Sequence, residues 1–355
     1  MLPRGKLVPA SWADLPQWKS EPLRPALEAF LRSCIALEKR DAWKPVCLSA
    51  QVLAASPASE PQIAAFFEAQ FDPLQVVNGD DTVTGMVTGY YEPLLRGSRA
   101  PSGRFRHPLY GVPPDLVIVD LTELHPDLKH RRLRGRLEGN RVVPYLPRAD
   151  IEAEPAPLRG REIAWVDDAL DAFFLHIQGS GQVELENGER IRVGYADQNG
   201  HPFRSLGAAL IRSGEIAPER ASMQGIKEWA RRNPHKAREF MNGNPSYVFF
   251  RELPGELPGP LGALGVPLTP QRSIAVDPRV VPLGVPVFLA TTWPNAADPL
   301  NRLMVAQDTG GAIAGGVRAD FFWGFGDAAG NLAGKMRQAG RMWVLMPKGV
   351  PPPAP

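Results

Sequence analysis

Two carboxylates and an aromatic run stand close together in QDTGGAIAGGVRADFFWG. Asp308 and Asp320 flank a turn containing Gly310 and Gly311, and Phe321, Phe322 and Trp323 follow before Gly324. Cleaving a glycosidic bond needs a carboxylic acid that can protonate a leaving oxygen, and the flat C–H faces of sugars favour aromatic contacts. The grouping points to glycan chemistry. The same residues also read as a surface turn with solvated aspartates beside a buried strand, because Asp and Gly commonly punctuate strands.

Strand signals crowd around this segment. RSIAVD (272 to 277), VPVFLA (285 to 290), LMVAQD (303 to 308), RADFFWG (318 to 324) and RMWVLM (341 to 346) are short, apolar and bounded by turn residues, which predicts a compact β-barrel. Three of these strands carry an aspartate, Asp277, Asp308 and Asp320, and acids repeated at strand ends are expected to line a shared rim. That reading is taken for Asp308 and Asp320. Asp277 precedes a proline, and by its own residues it is better read as the start of a turn.

Upstream, LRPALEAFLRSCIAL places Leu23, Leu27, Phe30, Leu31 and Cys34 on one helical face. A second helix is predicted from Pro61 to Phe71, with Ser59 and Gln62 forming a capping box. TVTGMVTGYY then reads as a strand ending in an exposed Tyr-Tyr loop. Residues 106 to 199 read as short strands, including the hairpin QVELENGERIRVGY, where Asn187-Gly188 suits a type I′ turn. Helices return after Ser205 and Ser222, followed by a long Pro- and Gly-rich connection, ELPGELPGPLGALGVPLTP.

With 355 residues there is room for two cores, since domains usually run about 100 to 200 residues. The 34 Gly and 38 Pro are spread along the chain, which favours many turns and a mainly β protein with helices. A net charge of only +2, without a basic block interleaved with aromatics, gives no nucleic-acid footprint. No apolar run reaches the length of a membrane span. The start, MLPRGKLVPASW, lacks the pattern of a signal peptide, so the expectation is either a cytoplasmic protein or a mature form with an added Met1. Cys34 and Cys47 are the only cysteines, and as residues alone they suit a disulfide or two buried thiols about equally. None of the six histidines sits in a zinc spacing, so neither a metal nor another cofactor is expected. His176 and His201 read as structural. QGSGQ (178 to 182) is neither a phosphate loop nor a nucleophile elbow; it reads equally as a plain turn or as amides and a hydroxyl presented to a sugar.

Taken together, GYYEP (89 to 93), HIQGSG (176 to 181), YADQNGHPFRSLG (195 to 207), NPSYVFF (244 to 250), and QDTGGAI followed by RADFFWG resemble the membrane-bound lytic murein transglycosylase A family. The motifs run in the same order over about Thr88 to Met346. The resemblance implies a double-ψ β-barrel catalytic domain, formed from residues 1–105 and 205–355, with a smaller β-domain inserted at 106–204 and glycan lying in the groove between them. It places the catalytic acid at Asp320 and its supporting carboxylate at Asp308. The spacing between the two is one residue longer than the family pattern, and Ala314 stands where the family often has a lysine. The three-aspartate region keeps Asp277, Gly310 and Gly311 among the substrate contacts, with Tyr90, Tyr91, Glu92, Gln178, Gly179, Ser180, Gly181 and Trp323.

The implied activity is that of a peptidoglycan exotransglycosylase. Asp320, its pKa raised by burial and by the charge of Asp308, protonates the oxygen between N-acetylmuramic acid and N-acetylglucosamine. The muramoyl C6 hydroxyl then attacks, with Asp320 now the base, to give a 1,6-anhydro end. The implied partners are peptidoglycan strands and other cell-wall enzymes. The implied place is the periplasm at the outer membrane, held there only by a lipid anchor outside this sequence; in that compartment a Cys34–Cys47 disulfide becomes the favoured pairing. Two alternatives stay open: a hydrolytic glycosidase using Asp308 or Glu92 as a second carboxylate, and a non-catalytic wall-binding module.

Overall fold

The computed structural model describes residues 5–128, 133–294 and 296–351. The chain divides into two units, Met1–Tyr91 with Pro258–Pro355, and Glu92–Leu257. The first unit opens with β1 (Gly5–Pro9), three helices, α1 (Arg24–Leu37), α2 (Lys44–Ala54) and α3 (Glu60–Gln70), and then β2 (Phe71–Asn78) and β3 (Gly85–Glu92). Helix α1 buries Leu27, Phe30, Cys34 and Leu37, the spacing of a single helical stripe. Helix α3 starts at the predicted cap, where the Ser59 amide donates to Gln62 Oε1 at 2.8 Å. Cys34 and Cys47 are disulfide-bonded, with Cα atoms 5.5 Å apart, and so tie α1 to α2.

The second unit contains β4 (Leu94–Ser98), β5 (His107–Tyr110), β6 (Val117–Ile118), β7 (Arg134–Glu138), β8 (Arg141–Pro144), α4 (Arg148–Ile151), β9 (Glu162–Val166), α5 (Ala169–Gln178), β10 (Ser180–Leu185), β11 (Arg190–Gln198), α6 (Leu206–Arg212), α7 (Met223–Arg232), α8 (Pro234–Asn242) and β12 (Val248–Leu253). Six strands form one sheet in the order β12-β11-β10-β4-β9-β5, and β6-β7-β8 form another. This unit is larger than the predicted 106–204 insertion. Its sheet needs β4 on one side of that range, paired in parallel with β10, and β12 on the other, paired with β11. Helices α6 to α8 belong here because Leu210, Ile226, Trp229 and Met241 share an apolar cluster with Leu170 and Phe173 of α5. The hairpin β10–β11 is present, but only Gly188 takes a positive φ, 83°, and Leu185 N–H closes onto Glu189 O at 2.8 Å. The loop is therefore three residues long and ends on a left-handed glycine, in place of a two-residue type I′ turn.

The chain then returns to the first unit with β13 (Ser273–Val276), β14 (Pro286–Thr292), β15 (Pro299–Asp308), β16 (Arg318–Phe325), α9 (Gly326–Ala333) and β17 (Arg337–Pro347). The five predicted C-terminal strands are all present. Their sheet runs β1-β2-β17-β14-β15-β13-β16-β3, and a further β17–β3 pairing closes β3, β16, β13, β15, β14 and β17 into a ring of six. Closure removes the open edges of those strands and makes one face of each an interior.

Candidate active site

Strand β13 sets the geometry. Its Ala275 is the register partner of Asp308 in the parallel strand β15 and of Asp320 in the antiparallel strand β16. The two aspartates thus flank one small residue, roughly two strand spacings or ~10 Å apart at Cα. An irregularity in β15 produces this alignment: Ile274 pairs with Ala306 and Ala275 with Asp308, so Gln307 is the extra residue of a bulge. Gln307 turns into the core, where its Nε2 donates to Ala29 O and Ser33 Oγ of α1, each at 2.9 Å, and the bulge frees Asp308 for the opposite face.

Alternation fills the rest of that face. Thr88 and Tyr90 lie two apart on β3, and Asp320 and Phe322 two apart on β16, so each pair shares a side. Tyr90, Phe322, Ala275, Leu268 and Ile313 form an apolar floor. The Tyr90 hydroxyl donates to Asp308 Oδ2 at 3.0 Å, while Oδ1 of the same carboxylate accepts the amides of Ala263 and Thr309, both at 2.9 Å. Asp320 is held differently. Arg318 Nη2 donates to Thr88 Oγ1 at 2.9 Å, which leaves that hydroxyl to donate to Asp320 Oδ1 at 2.6 Å. Among the described residues Asp320 Oδ2 receives no hydrogen bond.

Both carboxyls are pushed up. Burial raises Asp308 to about 6 against the pull of its three donors, with the charge of Asp320 adding to the rise. Burial also raises Asp320, opposed by the Thr88 hydroxyl and by Arg318. Repulsion between the two carboxylates is mutual, and at Asp320 the neighbouring Arg318 cation opposes it. Among the described residues no group of His, Cys, Asp and Glu is arranged to hold a metal.

Several predicted contacts fall elsewhere. Trp323 is one residue out of phase with Asp320 and Phe322; it is 3 % exposed, packed on Phe321 and Trp293, and its Nε1 donates to Met336 Sδ at 3.3 Å. It is a core residue with no face left for a sugar. Tyr90 and Tyr91 are buried strand residues of β3, where an exposed loop was predicted. Tyr90 serves Asp308, and Tyr91 faces the other way, so closely against Gly330 that a Cβ there would meet its ring at 2.8 Å. Asp277 is buried, with its carboxylate filled by the Arg279 side chain and by the amides of Arg279 and Gly315. Gly310 is needed by the floor, because a Cβ would stand 2.7 Å from Ile313 Cγ1, whereas Gly311 is exposed.

Glu92, Gln178, Gly179, Ser180 and Gly181 belong to the second unit. Burial raises the Glu92 carboxyl, which is paired with Arg192 at 2.8 Å and accepts from Gln182 at 3.0 Å. Gln178 ends α5, Gly179 caps it at φ 79° with its amide on Leu175 O, and Ser180 starts β10; the expected turn is a helix-to-strand junction. Thr88 and Arg318 were not recognised in the sequence. The signal for both was available, since each stands two residues before a residue of the site on its own strand.

A ring of strands that sets two desolvated carboxyls over an apolar floor is a candidate site for carboxyl chemistry. Residues 86–251 match the MltA specific insert domain and residues 272–346 match the 3D domain. The chain is 33 % identical over 282 residues to the membrane-bound lytic murein transglycosylase A of Escherichia coli, covering 77 % of this chain and 69 % of that protein. The crystal structure of MltA from Neisseria gonorrhoeae superposes with a TM-score of 0.82 at 39 % identity, covering 98 % of this chain and 94 % of that one. That of Escherichia coli MltA with bound chitohexaose gives 0.72 at 26 %, covering 98 % and 95 %. The chain belongs to the membrane-bound lytic murein transglycosylase A family, a family of enzymes.

Proposed function

We propose that this protein is a lytic transglycosylase of the cell envelope that cleaves peptidoglycan between N-acetylmuramic acid and N-acetylglucosamine, with Asp320 as its single acid and base. The observation that carries this reading is the unequal engagement of the two carboxylates. Asp308 has both oxygens occupied by donors, whereas Asp320 has one oxygen held and the other open to exchange a proton. Desolvation keeps a proton on Asp320 at higher pH than an exposed aspartate would, as a general acid requires. In the first step that proton passes to the glycosidic oxygen, and the C1–O4 bond breaks with its electron pair leaving on the N-acetylglucosamine oxygen. In the second step the C6 hydroxyl of the muramoyl residue bonds to its own C1 and returns its proton to Asp320. The enzyme is restored, no water is consumed, and the product is a 1,6-anhydro end. Asp308 stays on as an anchored neighbour that Tyr90 holds in place.

The bound chitohexaose in the Escherichia coli MltA structure supports a glycan substrate. The closed six-stranded ring, with its parallel β13–β15 pair, is read as the double-ψ barrel. The names of the relatives, membrane-bound and acting on murein, support action on the wall in the cell envelope. A hydrolase would need a second carboxylate to activate water; Asp308 is engaged by three donors and Glu92 by Arg192 and Gln182, which favours the reading with a single acid and base. Mass spectrometry of soluble products from purified wall is the test. Anhydro-muramoyl ends from wild type, lost by at least about a thousandfold in Asp320→Asn, are expected; reducing ends carrying one added water would overturn the transglycosylase.

A further inference from the structure

A cavity of about 620 Å³ lies within the second unit, lined by β5, β9 and helices α5, α7 and α8. Its size is in the range of roughly 300–1,000 Å³ that buries small ligands. Tyr110, Ile151, Leu170, Met241 and Tyr247 give it apolar walls. Besides the two tyrosines, one polar side chain in the lining is deeply buried. His176 is 8 % exposed, and its Nδ1 lies 2.9 Å from Nη2 of Arg148, itself 1 % exposed. A guanidinium can only donate, so Nδ1 accepts and the ring proton sits on Nε2. Among the described residues Nε2–H finds no hydrogen-bond acceptor. A fixed donor on a ring lining an apolar cavity calls for an acceptor from a ligand.

Charge around the cavity points the same way. Asp167 is held by Arg96 and Arg104 at 3.0 and 3.2 Å, Asp171 by Lys227, and Glu152 by Arg148 at 2.7 Å. Asp168 caps α5 through the amides of Leu170 and Asp171. Among the described residues Glu154 has no such engagement, and Asp168 has amide donors but no cation partner. Against them stand Arg106, Arg231 and Arg238, all lining the cavity and none with a carboxylate within ion-pair distance among the described residues. Three guanidiniums without a carboxylate partner outnumber the two carboxylates without a cation partner, Glu154 and Asp168; that excess favours an anionic ligand, and guanidiniums suit carboxylates in particular.

We propose that this cavity binds a short peptide with small side chains and free carboxylates, which, on the function proposed above, is the stem peptide carried by muramic acid. The Nε2–H of His176 donates to a peptide carbonyl, the apolar walls take the small side chains, and the arginine rim takes the carboxylates. The insert would then read the peptide while the barrel cleaves the glycan.

The test uses the N-acetylated stem tripeptide, free of sugar, titrated by calorimetry and by ¹⁵N NMR of the histidine side chains. Wild type is expected to bind it and to shift the His176 Nε2–H resonance. Arg231→Glu with Arg238→Glu, two exposed helix positions, is expected to weaken binding at least about tenfold with an unchanged circular dichroism spectrum. Ala156→Trp, which fills the cavity without touching charge, is expected to abolish it. No binding to wild type at millimolar peptide, or full binding to both variants, would overturn the proposal. Because the probe contains no glycosidic bond, peptide binding stands or falls apart from cleavage; a failure to form anhydro ends would strike the function proposed above and leave the titration interpretable.

Discussion

At the scale of single residues, the site turns on which oxygen of which carboxylate is free. Thr88 passes the pull of Arg318 to Asp320 through a hydroxyl that accepts at 2.9 Å and donates at 2.6 Å. That bond favours the ionised form and lowers a pKa that burial raises. In Thr88→Val the lowering contact is gone, so Asp320 keeps its proton to higher pH. The expected outcome is a lower maximal rate and a high-pH limb of kcat/KM displaced upward. A limb that stays in place would show that another group carries the acid proton.

At the scale of elements, the bulge in β15 does two things with adjacent residues. It sends Gln307 into the core to hold α1 and leaves Asp308 on the same face as Asp320. Gln307 is fully buried, and Ser273 Oγ donates to its Oε1 while its Nε2 serves two acceptors of α1. Removing it strands those groups, each at a cost of about 1–3 kcal/mol. Gln307→Ala is therefore expected to destabilise the protein by about 2–4 kcal/mol in urea unfolding. It should also lower activity more than the loss of stability accounts for, because the bulge that aims Asp308 loses its anchor. An active, merely less stable variant would mean that the ring alone sets the position of Asp308.

At the scale of the whole molecule, the buried carboxyls weaken the fold that holds them. Asp308 rises from 3.8 to about 6 in the folded state. The folded protein thus binds that proton more tightly than the unfolded chain does. The resulting stability is fully present below about pH 4 and is lost as pH rises through about 6, up to about 3 kcal/mol. Asp308→Asn does not ionise. It is expected to melt above wild type at pH 7.5 and to match it near pH 4; a constant difference at both pH values would show that the charge is not the cause. The Cys34–Cys47 bond acts globally in the opposite sense. It closes a loop of 13 residues, worth about 3 kcal/mol on the chain-entropy model. The double variant Cys34→Ala/Cys47→Ala should lose about that much in chemical denaturation, and an unchanged midpoint would show that the packing of α1 on α2 suffices.

The sequence by itself determined the strands of the barrel, the capped helix α3 and the two aspartates, because alternation, capping and turn chemistry act over a few neighbouring residues. It also carried five ordered motifs, enough to imply the family. The tertiary structure decided what each motif residue touches. Trp323 reads as a binding residue and Asp277 enters as one only through the resemblance, yet strand phase sends the first into the core and an adjacent arginine closes off the second. The extent of the second unit depended on β4 and β12 pairing with strands far along the chain, and on the apolar faces of α6 to α8 finding α5. Thr88 became part of the site only when β3 and β16 came side by side, 232 residues apart in sequence at the Thr88–Asp320 bond. Such contacts leave no local trace, because closing the ring selects the partners after each strand is already specified.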